Sequence, residues 1–424
     1  MTKPVGKAEH AAPRRLRVVG VADTDSYVKW AAALLGGMDD EWDAELFVLD
    51  TPVVVSGAQE SAAVDGSGLA RVTRVAYAEL EERLAVARPD AVLVAARGPL
   101  VRVVARLVAG LVPRPVIVSG LPGISIPATR KALVYRTQCD LFVLHSRREI
   151  HEFAALAQAR GMSQRFALTR LPFAERAATP TPAAPGGTDL VFAAQAIVPR
   201  EREDRLRVAR LLVRAAEADP TRRVVLKLRA QAGEHQTHAE EDAFPELIAS
   251  LGDVPANLVT STAPMSKALD TAEGLVTVSS TAAIEAVARG IPVVALDVFG
   301  VSSKLINEVF DGSGLFGDED DVVARRFRHP SPSWLRDNYF HAAADDDLGM
   351  LLAALVARRR EGRLAPKPPL ARTGGRLRDA WERKLVLGAN DRTAGGTAAL
   401  VIGMPLRGAV RAVQRLRKPR ATAA

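Results

Sequence analysis

The chain has 424 residues, of which 48% are hydrophobic and 25% are charged. This balance is typical of a soluble globular protein, and the length favours two domains of roughly 150–200 residues. The composition excludes a disordered chain and a collagen, and the single cysteine, Cys139, excludes an internal disulfide and cysteine-based zinc sites. No apolar run reaches the roughly 18–20 residues of a membrane span, and the basic N-terminus lacks the apolar core of a signal peptide, so the expected compartment is the cytoplasm.

The net charge of +8 is distributed unevenly along the chain. Residues 366–424 contain 13 Lys or Arg and 3 Asp or Glu, a net charge of +10, so residues 1–365 carry −2. The high isoelectric point therefore describes the end of the chain and not a nucleic-acid-binding fold, and no nucleic-acid partner is expected. Arginine far outnumbers lysine, which is also typical of a GC-rich genome.

Short apolar runs alternate with amphipathic stretches in the first half, which is the pattern of βαβ units and a parallel sheet. Runs such as VLVAA are apolar at every position, as strands buried on both faces must be. We predict strands at 16–22, 45–49, 90–96, 115–119 and 140–145, and helices near 26–36, 77–87, 98–111, 127–137 and 147–160.

The same rhythm restarts after an Ala-, Pro-, Thr- and Gly-rich stretch that predicts a linker. The second half predicts strands at 189–194, 223–228, 257–260, 274–278 and 292–296, helices at 201–218, 240–251, 264–272, 280–289 and 303–310, and one or two further helices within 333–361. The expected fold is α/β, with Rossmann-like doubly wound domains at 14–173 and 189–365, a linker at 174–188 and a basic tail at 366–424. Two such domains face a common cleft, and ligands bind at the carboxyl ends of their strands.

The strongest motif joins a buried strand to a helix and reads VSSTAAIEAVARGIPVV from Val278 to Val294. Ser279, Ser280 and Thr281 are suited to cap the helix, and the same N–H groups and helix dipole suit the phosphates of a nucleotide. Glu285, one turn later, would accept hydrogen bonds from two ribose hydroxyls. A capping box in any α/β protein explains the same local pattern, so the residues alone leave both interpretations open.

This motif resembles the nucleotide-sugar half of GT-B glycosyltransferases, in which hydroxyl or glycine residues, Glu-Ala and Gly-x-Pro-Val-Val follow one another at this spacing. It is most similar to capsule-type, sialyl- and Kdo-transferase-like members and to the glycerophosphotransferases of teichoic acid synthesis. The second half also resembles an uncharacterised actinobacterial group of glycosyltransferases. The resemblance implies a GT-B fold. Retaining members often carry two glutamates eight positions apart; with Glu285 as the second, the first position is Thr277, so retention is not implied.

Further donor-binding candidates follow two strands of the second half. They are Gln195, Arg200 and Arg205 after the strand at 189–194, and Lys227, Arg229 and His238 at or after the strand at 223–228. Cations there would neutralise a phosphate or diphosphate leaving group, although single arginines in this chain are equally explained as solvated. Lys227 stands out because it interrupts an apolar strand. His238 has no second histidine at ligand spacing, so neither a metal nor a cofactor is expected.

The first half supplies candidates for the acceptor side of the cleft. Asp23 and Asp25 follow the first strand, where each is suited either to cap the next helix or to act as the general base for an acceptor hydroxyl. His145 closes a later strand and is either a base or a structural histidine. The acceptor-side loop is glycine-rich and includes Gly120, Gly123 and Ser125, and its backbone can approach a ligand closely.

The end of the chain predicts a basic amphipathic helix, which suits an anionic membrane surface. A disordered basic tail is the alternative. The recurring cations are Arg407, Arg411, Arg415 and Lys418, and the opposing apolar residues are Leu406, Val410 and Val413. A helix of this kind would place the protein at the inner face of the cell membrane.

These features and the resemblance predict a metal-independent GT-B glycosyltransferase. It would move a sugar from a nucleotide-activated donor to a cell-surface glycan or lipid-linked acceptor by direct displacement. One alternative is a non-hydrolysing nucleotide-sugar epimerase, which shares the fold but needs several acid and base carboxylates in the cleft. The other is a catalytically degenerate GT-B protein that only binds its ligand.

Overall fold

The computed structural model describes residues 15–172, 187–228, 242–368, 370 and 375–403. We call residues 15–172 the first unit and residues 187–337 the second unit. The first unit contains β1 (Leu16–Ala22), α1 (Asp25–Gly36), β2 (Trp42–Leu49), α2 (Gly57–Val64), β3 (Val72–Val75), α3 (Tyr77–Ala87), β4 (Ala91–Ala95), α4 (Gly98–Ala109), β5 (Val116–Gly120), α5 (Arg130–Tyr135), β6 (Leu141–Leu144), α6 (Arg147–Ala159) and β7 (Phe166–Leu168).

The second unit repeats the alternation of strands and helices. It contains β8 (Asp189–Ala193), α7 (Arg202–Ala218), β9 (Val224–Lys227), α8 (Phe244–Ala249), β10 (Leu258–Ser261), α9 (Met265–Leu269), β11 (Ala272–Thr277), α10 (Ala282–Ala288), β12 (Val293–Leu296), β13 (Phe316–Gly317), α11 (Glu319–Val323) and α12 (Pro332–Asp337). Two further helices follow, α13 (Leu348–Arg360) and α14 (Gly375–Leu387).

Each unit is built on one parallel sheet. The strand orders are β3-β2-β1-β4-β5-β6-β7 in the first unit and β10-β9-β8-β11-β12-β13 in the second. Strands such as β4 and β8 are buried at every position, because helices cover both faces of the sheet. The predicted α/β fold with two doubly wound sheets is confirmed. In each sheet the chain reverses its direction of growth once, between β1 and β4 and between β8 and β11, and we call these two places the switch points.

Some elements differ from the sequence pattern. The edge strand β3 and the short strands β7 and β13 were not predicted, because each is short and β3 exposes two of its four residues. The helix predicted at 303–310 is wrong: only Glu308–Phe310 forms a 3-10 turn. The side chain of Asn307 instead bonds to the backbone of Gly300 and Ser302, and these bonds hold the preceding residues in a loop.

The chain crosses back to the first unit after α12. The Asp347 carboxylate accepts a hydrogen bond from the Leu168 amide at 2.7 Å, and α13 packs against β5 and β7. The sequence pattern grouped this helix with the second domain at 189–365, whereas its contacts are with the first sheet. The domain boundaries themselves stay predictions, and the predicted linker lies outside the described residues except for 187 and 188.

The beginning of the predicted tail packs against the first unit. Helix α14 lies along α4, where Asp379 forms an ion pair with Arg106 at 3.0 Å, and Leu387 is fully buried in the core beneath it. Residues 394–403 form a further helix. The predicted amphipathic helix from Leu406 onward lies outside the described residues. Within the described ranges, no helix is both long enough and apolar enough to cross a bilayer.

Asp90 links helix α13, which we call the crossing helix because the chain returns through it to the first unit, to the amino-terminal edge of the first sheet. Its carboxylate accepts hydrogen bonds from the Arg17 amide at 3.1 Å, from Arg359 at 2.9 Å and from Arg360 at 2.8 Å. Burial acts to raise the pKa of Asp90, but these hydrogen bonds and the two guanidinium charges outweigh it, so the pKa lies below its ordinary value. The ionised carboxylate therefore stabilises the folded chain.

We predict that Asp90→Asn lowers the free energy of unfolding by about 1–3 kcal/mol near pH 7, because charged hydrogen bonds are lost. A lowered folded-state pKa contributes stability above the unfolded-state value of about 3.9, and this contribution is lost as the pH falls through the folded-state pKa. The difference between wild type and variant should therefore shrink in acid. Urea unfolding at neutral and acidic pH measures it, with the exposed Asp40→Asn as control. A difference that does not depend on pH contradicts the prediction.

Candidate functional site

The carboxyl ends of the two sheets face each other across a cleft. Gly123, after β5, lies against Thr281 of the second unit: a Cβ on this glycine would fall 2.7 Å from Thr281 Oγ1 and displace the hydroxyl. Lys29 on α1 reaches across to Glu285 on α10, with 3.3 Å between Nζ and Oε1. Loops that follow strands of different units therefore meet at one place.

The switch point of the second sheet brings together two candidates that are distant in sequence. Gln195 follows β8 and Ser279 follows β11, and the two strands are neighbours. The Gln195 Oε1 atom accepts hydrogen bonds from the Ser279 amide at 3.0 Å and from the Ser279 hydroxyl at 3.2 Å. The side chain of Gln195 therefore fixes the start of the loop that leads to Glu285.

The turn formed by Ser279, Ser280 and Thr281, which we call the serine-rich turn, does not form the capping box that its sequence allowed. Helix α10 has seven residues, and the side chain of its N-cap residue, Thr281, makes no capping bond. Ser280 Oγ accepts a hydrogen bond from the Ala282 amide at 3.2 Å, and Glu285 turns toward Lys29 and not back along its own helix. The described hydrogen bonds therefore include one from a helix amide to a serine hydroxyl but not the reciprocal bond of a capping box, and Glu285 faces the cleft.

Arg205 was predicted as a phosphate ligand, but the structure buries its side chain and directs it to backbone carbonyls. The residue is 2% exposed and stacks on Phe244, with its guanidinium carbon 4.2 Å from the ring centroid. Its N–H groups donate to backbone carbonyls, including that of Gln195 at 3.1 Å. Because α7 carries it beneath the loop that follows β8, Arg205 braces that loop from below. Arg200, in the same loop, is exposed.

Lys227 lies at the same edge of the sheet as the serine-rich turn. The strand register pairs it with Ala193, and Thr277 Oγ1 in turn donates to the Ala193 carbonyl. Alternation along the strands places Lys227 and Thr277 on the face whose core includes Val225 and Leu275. Two strand spacings, roughly 10 Å, separate β9 from β11. Lys227 is buried and its ammonium group donates to the Leu228 carbonyl.

Arg229 and His238 lie outside the described residues.

Asp23 is paired with an arginine at the switch point of the first sheet. The carboxylate accepts from the Arg97 amide at 3.2 Å and from Arg97 Nε at 2.7 Å. Burial raises the pKa of Asp23 above its ordinary value, although the Arg97 charge and hydrogen bonds act in the opposite direction. Sequence reasoning missed Arg97. The signal for it was its position between a buried strand and Gly98-Pro99, a helix start at a strand end.

Asp25 is the first residue of α1 and is partly exposed. Neither predicted aspartate is the N-cap of this helix: that position belongs to Thr24, whose side chain makes no capping bond. Asp25 therefore stands at the cleft edge on the same helix as Lys29, whereas Asp23 is fully buried one residue before the cap.

His145 was predicted as a candidate general base, but the structure buries its ring and gives both ring nitrogens partners within the protein. The ring is fully buried; Trp30 Nε1 donates to Nε2 at 2.8 Å, and Nδ1 lies 2.9 Å from the Thr169 carbonyl. The indole N–H of Trp30 can only donate, which favours a lone pair on Nε2 and the proton on Nδ1; the Leu121 carbonyl also lies 3.1 Å from Nε2. Burial lowers the pKa of His145 below its ordinary value, with Glu149 acting against it.

The acceptor-side loop is held in place by buried polar side chains. Arg136 donates to the Gly120 carbonyl at 2.8 Å, and Glu149 accepts from the Ser125 amide at 3.0 Å. Glu149 also accepts from the hydroxyl of Tyr339 at 2.7 Å, so the segment that crosses back from the second unit is fastened to the same carboxylate. Gly120 is required where it stands, because a Cβ would fall 2.6 Å from the ring of Trp30 and 2.9 Å from a backbone carbonyl.

Two doubly wound units that face each other across their strand ends define the GT-B fold. Solved structures with this arrangement include MnaA of S. aureus with UDP (TM-score 0.53, 11% identity, covering 83% of this chain and 99% of that one). Another is the UDP-GlcNAc 2-epimerase of Methanocaldococcus jannaschii with UDP-GlcNAc and UDP (TM-score 0.54, 10% identity, covering 80% and 100%). At this identity the likeness shows the fold alone.

The family described as "Putative glycosyltransferase (DUF6716)" matches residues 18–355, and the chain belongs to this family. No curated protein matches the sequence significantly. The matched residues span both sheets except for the first two residues of β1, and they include most of α13.

We predict that the free energy of unfolding falls as the pH drops below about 6.5, because unfolded His145 then binds a proton that the folded ring does not. This contribution is present above the unfolded-state pKa and is lost as the pH falls toward the lowered folded-state pKa. His145→Gln should remove that part of the pH dependence, whereas His151→Gln on the exposed face of α6 should not. Urea midpoints across this pH range measure both. An unchanged slope in His145→Gln contradicts the prediction.

Proposed function

We propose that the chain transfers a sugar from a nucleotide-activated donor to an acceptor hydroxyl. The second unit binds the nucleotide at the ends of β8 and β11, and the first unit binds the acceptor. The observation that carries this proposal is the position of Glu285 at the cleft, 3.3 Å from Lys29 of the opposite unit. Membership of the glycosyltransferase-like family supports the reaction class.

Glu285 is proposed to accept hydrogen bonds from the ribose hydroxyls. Its present partner is easily displaced: the Lys29 side chain is 43% exposed, and exposed ion pairs contribute about 0–1 kcal/mol. Two hydrogen bonds to a carboxylate are worth more than that. Nucleotide binding would therefore exchange the contact between units for a contact with the ligand.

The leaving phosphate is proposed to lie between the serine-rich turn and the Lys227 edge of the sheet. Arg200, Arg229 and His238 stay candidates for the same role. Lys227 is a buried cation at this edge of the sheet, and we propose that the chain's own cations neutralise the leaving phosphate, so that the reaction needs no metal.

Asp25 is the proposed general base. The acceptor oxygen attacks the anomeric carbon and its proton passes to Asp25, while the bond from that carbon to the phosphate oxygen breaks and the nucleotide leaves with the electron pair. Asp25 is favoured over Asp23 because Asp23 is fully buried and committed to Arg97. A single displacement inverts the configuration at the anomeric carbon, so the proposed transferase is an inverting one.

We predict that UDP-, GDP-, CMP- or CDP-linked sugars raise the melting temperature. A ligand at 100 times its dissociation constant stabilises the folded state by about 2.7 kcal/mol. Glu285→Gln should weaken the affinity for the effective nucleotide about 10- to 150-fold, because charged hydrogen bonds to ribose are lost. Thermal shift and calorimetric titration measure both effects.

The matched control is Glu246→Gln, which removes an exposed carboxylate on α8 and should bind the nucleotide normally. If Glu285→Gln binds as tightly as wild type, Glu285 is not the ribose ligand. Incubation of the donor without acceptor tests the alternative: conversion to an epimeric nucleotide sugar would favour an epimerase over a transferase.

We further propose that the acceptor is membrane-associated and that residues 404–424 hold the protein at an anionic lipid surface. This segment contains six Lys or Arg and no Asp or Glu. It directly follows the helix at 394–403, where Val401 is 69% exposed and Ile402 is 48% exposed. Each cation near such a surface contributes about 1 kcal/mol, and salt screens the attraction.

We predict that the full chain co-sediments with vesicles containing anionic lipid at low salt and dissociates at high salt. A full-length variant with all six cations of 404–424 changed to Gln should remain in the supernatant and keep its nucleotide affinity. A chain that ends at residue 403 is the second variant, because a cut at 365 would remove α14 and expose the core around Leu387. Equal sedimentation of wild type and variants would contradict the proposed membrane contact.

A further inference from the structure

At the switch point of the first sheet, the side chain of Arg97 is held in one orientation, while part of its guanidinium group makes no described hydrogen bond. Arg97 lies two residues after the end of β4, which neighbours β1 in the sheet, and its Nε and backbone amide both donate to the Asp23 carboxylate. Among the described residues, Nη1 and Nη2 have no hydrogen-bond partner. The Arg97 side chain is 32% exposed, whereas Asp23 is fully buried. The planar guanidinium is therefore held from one side and open on the other.

A second buried guanidinium, that of Arg136, lies close to this place. Arg136 lies under the same strand ends and is 1% exposed, and its described partners are neutral oxygens: the Ser119 and Tyr27 hydroxyls and backbone carbonyls. Tyr27 is within electrostatic range of Arg136, Asp23 and Arg97 alike. Among Arg97, Arg136 and Asp23, two guanidinium groups face one buried carboxylate at the carboxyl edge of the first sheet, where a doubly wound sheet binds its ligand.

From this geometry we propose that Arg97 is the anion-binding residue of an acceptor subsite, and that the acceptor carries a compact oxyanion, a carboxylate or a phosphate, next to the hydroxyl that is glycosylated. The proposal rests on the proposed function and adds the chemical class of the acceptor. Two parallel N–H groups match two oxygens of a carboxylate or phosphate, a pairing that lysine cannot reproduce. Asp23 is then a positioning residue, which holds the guanidinium in one orientation.

The experiment measures binding of defined probes to the full chain saturated with the nucleotide found by the thermal-shift screen. Methyl glucuronoside is compared with methyl glucoside, and glycerol 1-phosphate with glycerol, by ligand-observed NMR titration. Wild type should prefer one anionic probe over its neutral partner about 10-fold or more, and the preference should fall with added salt. The probe that binds distinguishes a carboxylate from a phosphate.

Arg97→Gln should abolish this preference and leave nucleotide affinity unchanged, and Arg97→Lys should restore only part of it. Because Arg97→Gln leaves Asp23 buried without its partner, the double variant Asp23→Asn/Arg97→Gln provides a neutral pair of similar shape. Arg83→Gln, which removes an exposed arginine of the same unit, is the matched control.

Equal binding of anionic and neutral probes by wild type would overturn the subsite, as would a preference that survives in Arg97→Gln and in the double variant. Failure of every nucleotide to bind would instead overturn the proposed function. In that case the same probes are titrated without nucleotide, and loss of an anion preference in Arg97→Gln would still identify the subsite.

Discussion

The direction of the strands is the constraint on which the rest of the molecule depends. All strands of each sheet are parallel, so every loop that follows a strand emerges at one edge. At each switch point the loops on neighbouring strands diverge to opposite faces and leave a crevice between them. Side chains from distant parts of the sequence meet there: Asp23 with Arg97 in the first unit, and Gln195 with Ser279 in the second.

Buried polar groups keep these loops in position. Arg205 braces the loop after β8, Arg136 holds the start of the acceptor-side loop, and Glu149 fastens its end to Tyr339. A buried group that loses its partner costs more than an exposed one, so each of these contacts fixes one conformation. The loops that line the cleft are therefore fixed by buried contacts. The ion pair between Lys29 and Glu285, which joins the two units, involves an exposed lysine and is easily exchanged.

The sequence by itself determined the architecture. Fully apolar runs such as that of β4 fit only strands covered on both faces, and their alternation with amphipathic helices specifies parallel βαβ units. The same local logic marked the serine-rich turn and Glu285, because a strand end followed by a helix start is visible in a continuous stretch of chain. Short edge strands such as β3 lacked this signal, since few of their residues are buried.

Tertiary structure alone decided which polar residues are available for chemistry. His145 and Arg205 were plausible ligands by position, but packing buried both and supplied them with partners from Trp30 and from backbone carbonyls. Arg97 was inconspicuous in an arginine-rich chain until β4 placed it beside Asp23. The return of α13 and α14 to the first unit was likewise invisible. One physical reason explains these cases. The exposure of a side chain and the partners that it finds depend on residues far away in sequence, and neither periodicity nor local motifs record those residues.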